Sequence, residues 1–186
     1  MTKEKEPSEG ELFILEYLKY NNIDFKREVK LENLKHDDNF THRRVDFLLT
    51  KYNVYLEFNG LWNNTKADRE RYRQKKEVYY KNNIPCIYLY PENLGIIEFV
   101  FPKRLIEILK MHNKKRELFR YQFKRLIDDR GNLFIWMFLA ILFLSGDFTW
   151  EKDRDFILFM SGVLLYQVYR LIRGYYMFFV KNIIKF

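Results

Sequence analysis

The stretch from Arg43 to Gly60 reads RRVDFLLTKYNVYLEFNG, two apolar runs that each carry one carboxylate. Residues such as Val, Phe, Leu and Tyr in short runs around a polar break favour paired strands. A hairpin over 44–50 and 52–58 with Lys51-Tyr52 as its turn pairs Leu48 with Tyr55 and Asp46 with Glu57. Directly opposed residues lie ~5 Å apart at Cβ, where like charges repel. Such a pair on an exposed face would be flanked by polar residues. Here the flanks are Phe47, Leu48, Leu49, Leu56 and Phe58, so both faces read as buried. Two carboxylates so placed need compensation. A divalent cation supplies it, and Mg²⁺ is held by one or two carboxylates with waters and phosphates completing its shell.

The neighbouring segments give the fold class. Ser8 and Glu11 form a capping-box pattern that opens a helix to Asn21. Phe25 to Leu31 reads as a strand, Lys66 to Asn82 as a charged helix, and Ile84 to Tyr90 as a short apolar strand stopped by Pro91. The order is helix, three strands, helix, strand. It predicts an α/β layer with a mixed sheet whose last strand is added by a crossover helix. Cys86, the one cysteine, lies inside the last apolar strand and reads as a buried thiol, so a disulfide or cysteine zinc site within the chain is excluded. His36, His42 and His112 lack zinc-ligand spacing and read as loop or surface residues.

The pattern resembles the PD-(D/E)XK nuclease superfamily, particularly its small very-short-patch-repair-like and homing-endonuclease-like members. The resemblance rests on Ser8-Glu9-Gly10-Glu11, Val45-Asp46-Phe47, Glu57-Phe58-Asn59-Gly60, the helix around Tyr72 to Tyr80, and Ile84 to Pro91. It spans about half of the chain, from Ser8 to Leu94. It implies a restriction-endonuclease-like αβββαβ core and phosphodiester hydrolysis with Mg²⁺ or Mn²⁺, on DNA rather than RNA. By the same resemblance, Asp46 and Glu57 bind metal and Glu11 assists them. Asn59 departs from the motif, which has a lysine there to stabilise phosphate charge or position water. Related families move that lysine to the following helix. Lys76, four residues from both Tyr72 and Tyr80, is then the leading replacement, ahead of Lys75 and Lys66. Arg43, Arg44, Asn59, Trp62, Lys66 and Lys75 are candidate nucleic-acid contacts. Trp62 could stack on a base or simply pack.

The composition shifts after Phe101. Pro102 is expected to open one basic amphipathic helix to about Arg130, facing anionic lipid, phosphates or merely solvent, with Gly131 as the boundary. The net charge of +8 fits a nucleic-acid or anionic-membrane partner. Residues 132–150 then read as a bilayer-length helix, followed by a shorter apolar segment over Phe156 to Tyr169 and an aromatic tail. The expected division is a polar tail over 1–7, a nuclease-like domain over 8–101, a basic helix over 102–131 and a membrane hairpin over 132–186. Lys and Arg crowd on both sides of the apolar pair, which places both termini in the cytoplasm. The polar start of the chain does not read as a secretory signal. A soluble αα-hairpin that packs on the first domain or joins two subunits is the competing reading. Function stays open between a membrane-tethered endonuclease, in one version a defence against invading DNA, a degenerate nuclease fold that only binds nucleic acid, and a membrane scaffold.

Overall fold

The computed structural model describes residues 6–32, 34–35, 42–145 and 150–180. His36 and the acidic loop around it lie outside them. The chain is α/β with a four-stranded mixed sheet, and it separates into two compact units, Met1–Leu118 and Phe119–Phe186.

The first unit begins with α1 (Glu9–Tyr20), capped as the sequence suggests. The Ser8 hydroxyl accepts from the Glu11 N–H, and the Glu11 carboxylate accepts from the Ser8 N–H at 3.1 Å. Strands β1 (Phe25–Glu32), β2 (His42–Leu49) and β3 (Val54–Phe58) form an antiparallel meander. Helix α2 (Lys66–Lys81) crosses over to β4 (Cys86–Leu89), which lies parallel to β3 at the sheet edge. The turn between β2 and β3 is longer than the expected two residues. It occupies Thr50 to Asn53, with Tyr52 buried and Asn53 at φ 48°. Because it lengthens symmetrically, Leu48 still pairs with Tyr55.

After the short α3 (Pro91–Leu94) comes α4 (Ile97–Met111), where the single basic helix was expected. Pro102 lies inside α4, and the helix ends at His112. The reason is backbone chemistry. Asn113 takes φ 53°, and the Lys114 N–H reaches back to the Leu109 carbonyl at 2.8 Å. A left-handed asparagine followed by such a long-reach bond also ends α1 at Asn22 and α2 at Asn83. Phe101, Leu105, Ile106 and Leu109 of α4 are buried, so the start of the basic region belongs to the core of the first unit.

Helix α1 packs tightly against the end of β3 at Gly10. A Cβ added to Gly10 would stand 2.2 Å from the Phe58 ring. Alanine improves helix propensity by about 1 kcal/mol, but overpacking costs about 1–3 kcal/mol. Here the clash wins, because Phe58 is buried and a Cβ added to Gly60 would also crowd its ring, at 2.9 Å, so the ring has little room to give way. Gly10→Ala should lower the melting temperature of the first unit. An unchanged or higher value in a thermal melt would contradict this packing.

The second unit contains most of α5 (Lys115–Leu144) and all of α6 (Trp150–Tyr175), which passes into a π-helical turn at Tyr176–Val180. Gly131 is no boundary, because α5 runs through it. One glycine weakens a helix by about 1 kcal/mol without stopping it. Among the described residues, one helix segment is long and apolar enough to cross a membrane: Arg154–Tyr175, with a mean hydropathy of 1.4. It belongs to the second apolar stretch, which the sequence reading took as the shorter. At 1.5 Å per residue its 22 residues span about 33 Å. Only 6% of its apolar window is buried, so it is not the core helix of this unit.

Candidate functional site

The register that pairs Leu48 with Tyr55 brings Asp46 beside Glu57 at the end of the β2–β3 ladder. There the Asp46 carboxylate, instead of a strand carbonyl, accepts the Phe58 N–H at 2.6 Å. This bond fixes the carboxylate on the Glu57 side of the sheet. Glu57 is 3% exposed. One of its oxygens is ion-paired to the Lys75 ammonium, and the other, Oε2, is buried with no hydrogen-bond partner among the described residues. A buried acceptor left unpaired costs about 1–3 kcal/mol, so the site holds unused binding capacity.

Electrostatics point the same way. Burial pushes the Glu57 carboxyl up to about 8, and the Asp46 charge adds to the shift. Burial also raises Asp46 to about 6, with Glu11 and Glu28 contributing. The Lys75 ammonium and the bound N–H groups oppose both shifts without cancelling them. Two carboxyl groups of one site that resist ionising together are suited to share a divalent cation.

Helix α2 supplies the lysine, but from a different stripe than expected. Tyr72, Lys75 and Tyr79 face the sheet. Tyr79 is fully buried, and Tyr72 accepts the Leu61 N–H through its hydroxyl at 3.2 Å. Lys75 lies 5.8 Å from the Tyr79 ring centroid and reaches Glu57. Lys76, about 100° further round the helix, instead stands 5.4 Å from the Tyr88 ring. Lys75, and not Lys76, is therefore the α2 lysine placed against Glu57. Tyr80, which shares the Lys76 stripe, is 79% exposed.

The other sequence candidates divide. Glu11 is near enough to raise Asp46, yet its carboxylate is engaged in the α1 cap. Among the described residues no three His, Cys, Asp or Glu side chains are grouped closely enough to hold a metal together. Asn59 is buried, and its backbone N–H donates to the Leu89 carbonyl at 2.8 Å. Trp62 packs edge-on against Tyr90, with centroids 4.9 Å apart. Arg44 pairs with Glu28 at 3.5 Å, Arg43 is half-buried on β2, and Lys66 is exposed at the start of α2. His42 is exposed and His112 half-buried, with no metal grouping around either among the described residues.

Glu28 is a further acidic residue near the pair, and its charge helps to raise Asp46. It occupies the β1 position across from Asp46, flanked by the pairs Arg27–Phe47 and Val29–Val45. Its φ of 50° is unusual for a non-glycine residue within a strand, and such strain collects at functional sites. Its one signal in the sequence is a glutamate inside an otherwise regular strand. No family model, curated protein or solved structure matches the chain.

Proposed function

We propose that the chain is a membrane-tethered, Mg²⁺-dependent endonuclease of restriction-endonuclease-like fold, with DNA as substrate. The observation that carries this reading is the pairing of half-buried Asp46 with buried Glu57, with Lys75 on one Glu57 oxygen and, among the described residues, no hydrogen-bond partner on the other. Asp46 and Glu57 would hold the ion, and the donor set of two hard oxygens suits Mg²⁺ or Mn²⁺. When bound, the cation supplies positive charge against the phosphate and makes water more acidic. Asp46 is kept in place by the Phe58 N–H. Glu57 holds the Lys75 ammonium at the site, where it can oppose negative charge developing on the phosphodiester. Lys75 thereby takes the role that the Asn59 position lacks. Glu28 and Glu11 add negative potential around the ion.

In this reading α6 anchors the protein, and the α/β unit acts on the cytoplasmic side, for instance against entering DNA. The anchor has its own test. One arginine at the centre of a membrane helix costs about 2.5–3.5 kcal/mol on insertion scales. Leu165→Arg should therefore move much of the protein out of the floating fraction in liposome flotation. Equal flotation of variant and parent would argue against α6 as the anchor. For the enzyme, cleavage of plasmid and single-stranded DNA is measured with and without Mg²⁺, with Asp46→Asn as control. Salt-dependent binding without cleavage would instead favour a degenerate, nucleic-acid-binding fold.

A further inference from the structure

A cleft of about 840 Å³ runs along β4 between α2 and α4. Ile84, Ile87 and Ile108 give it an apolar lining, and Lys76, Tyr80 and Arg104 are among its polar lining residues. Lys76 stands over the Tyr88 ring, and Arg104 stands 5.6 Å from the Tyr90 centroid. Arg104 also donates to the Tyr88 carbonyl. Among the described residues neither cation has a carboxylate within 4.0 Å, whereas the neighbouring Lys81 is paired with Glu77 at 2.7 Å. The one carboxylate lining the cleft is Glu107. Desolvation and the Lys114 charge hold His112 below its usual range. Two cations thus stand against aromatic rings with no ion-pair partner among the described residues.

The row continues beyond the cleft. Tyr90 meets Trp62, and Arg73 stands 6.0 Å from the Trp62 ring. It also lies beside the acid pair, because Tyr88 is the β4 register partner of Glu57. The geometry points to a track for single-stranded nucleic acid, with one unstacked nucleotide in the β4 cleft. This inference rests on the nuclease reading and names its substrate class. Lys76 and Arg104 take phosphates, and Tyr80 with the isoleucine wall takes a base. Bases of a duplex are stacked inside and cannot enter such a cleft, whereas those of a single strand can. Addition of a peptide strand to β4 is disfavoured, because Arg104 already occupies the Tyr88 carbonyl.

The test is fluorescence anisotropy with the full chain in detergent micelles, EDTA present to prevent cleavage, and labelled oligo-dT or a duplex of equal length. The single strand should bind about tenfold tighter than the duplex. Lys76→Glu and Tyr80→Ala should each weaken single-strand binding roughly tenfold, from the lost phosphate and stacking contacts. Both should leave duplex binding within about twofold, and Lys76→Glu should reduce the salt slope by about one. Both side chains are exposed, so neither change threatens the fold. Parent-like single-strand binding by both variants, or equal losses on duplex, would overturn the assignment. Cleavage separates it from the reading beneath. If the parent protein does not cut but Lys76→Glu still loses single-strand binding, the nuclease reading fails and the track stands. If the parent cuts and Lys76→Glu binds normally, the track alone fails.

Discussion

Lys75→Met is expected to lower Mg²⁺-dependent cleavage by about 10²–10³-fold at saturating substrate, the usual loss when one preorganised charge-stabilising group is removed. Lys76→Met should change the same rate less than about tenfold and act mainly on KM. The two lysines are adjacent in sequence, carry the same charge and lie on the same helix, so net electrostatics cannot separate them. Their placement can. Lys75 is 18% exposed and ion-paired with Glu57, whereas Lys76 is exposed over Tyr88. Methionine keeps most of the side-chain volume and removes only the ammonium. Rates measured under single-turnover conditions would decide. Equal losses at both positions would mean that the helix contributes charge in general and no particular lysine acts on the phosphate.

The second large effect concerns stability. Glu57 titrates near 8 in the folded chain against an ordinary value of 4.5, and Asp46 near 6 against 3.8. A raised acid binds its proton more tightly when folded. Its stabilising contribution is complete below the ordinary value and is lost as pH rises through the folded value. The metal-free protein should therefore lose stability between about pH 4 and pH 8, by an amount on the order of a few kcal/mol. Glu57→Gln replaces the resisted charge by a neutral group of equal shape. It should be more stable than the parent by about 1–3 kcal/mol at pH 8 and nearly equal to it at pH 4. The release of Lys75 from its partner opposes this gain, but Lys75 retains access to water and can turn outward. Mg²⁺ reverses the order, because bound cation favours the ionised pair and drives protons off it. Thermal melts across pH, with and without Mg²⁺, would show the crossing. A Glu57→Gln variant that is less stable than the parent at pH 8 without metal would mean that the ion pair with Lys75 outweighs burial.

Much of the α/β unit is legible in the sequence because its signals are local. The Ser8–Glu11 cap, the strand runs and the asparagine breaks each depend on a few neighbouring residues. The register of β2 and β3 is legible too, because side-chain alternation leaves one arrangement that buries Phe47, Leu49, Leu56 and Phe58 together. What failed depended on tertiary placement. The face of α2 that meets the sheet is set by Tyr79 in the core, and nothing in the run Tyr79-Tyr80 marks which tyrosine goes inside. Glu28 becomes part of the site only when β1 pairs with β2. The end of α4 was missed because basic residues continue on both sides of His112-Asn113 and conceal the stop. In the last third, the apolar run from Leu133 to Leu144 suggests 132–150 as the longer span; residues 146–149 of it lie outside the described ones, among which the helix that meets the length and hydropathy required is Arg154–Tyr175.

In the proposed reading, Asp46, Glu57 and Lys75 form a metal-dependent phosphodiesterase site. The most direct measurement is cleavage of plasmid and single-stranded DNA by the purified full chain, with Mg²⁺, with Mn²⁺ and with EDTA. Asp46→Asn and Glu57→Gln are run beside it after confirming that they are folded. The predicted result is cleavage by the parent with either metal, none in EDTA, and a loss of at least about 10²-fold in both variants. Cleavage that persists in both variants, or a parent protein that cuts neither DNA with either metal, would contradict the claim.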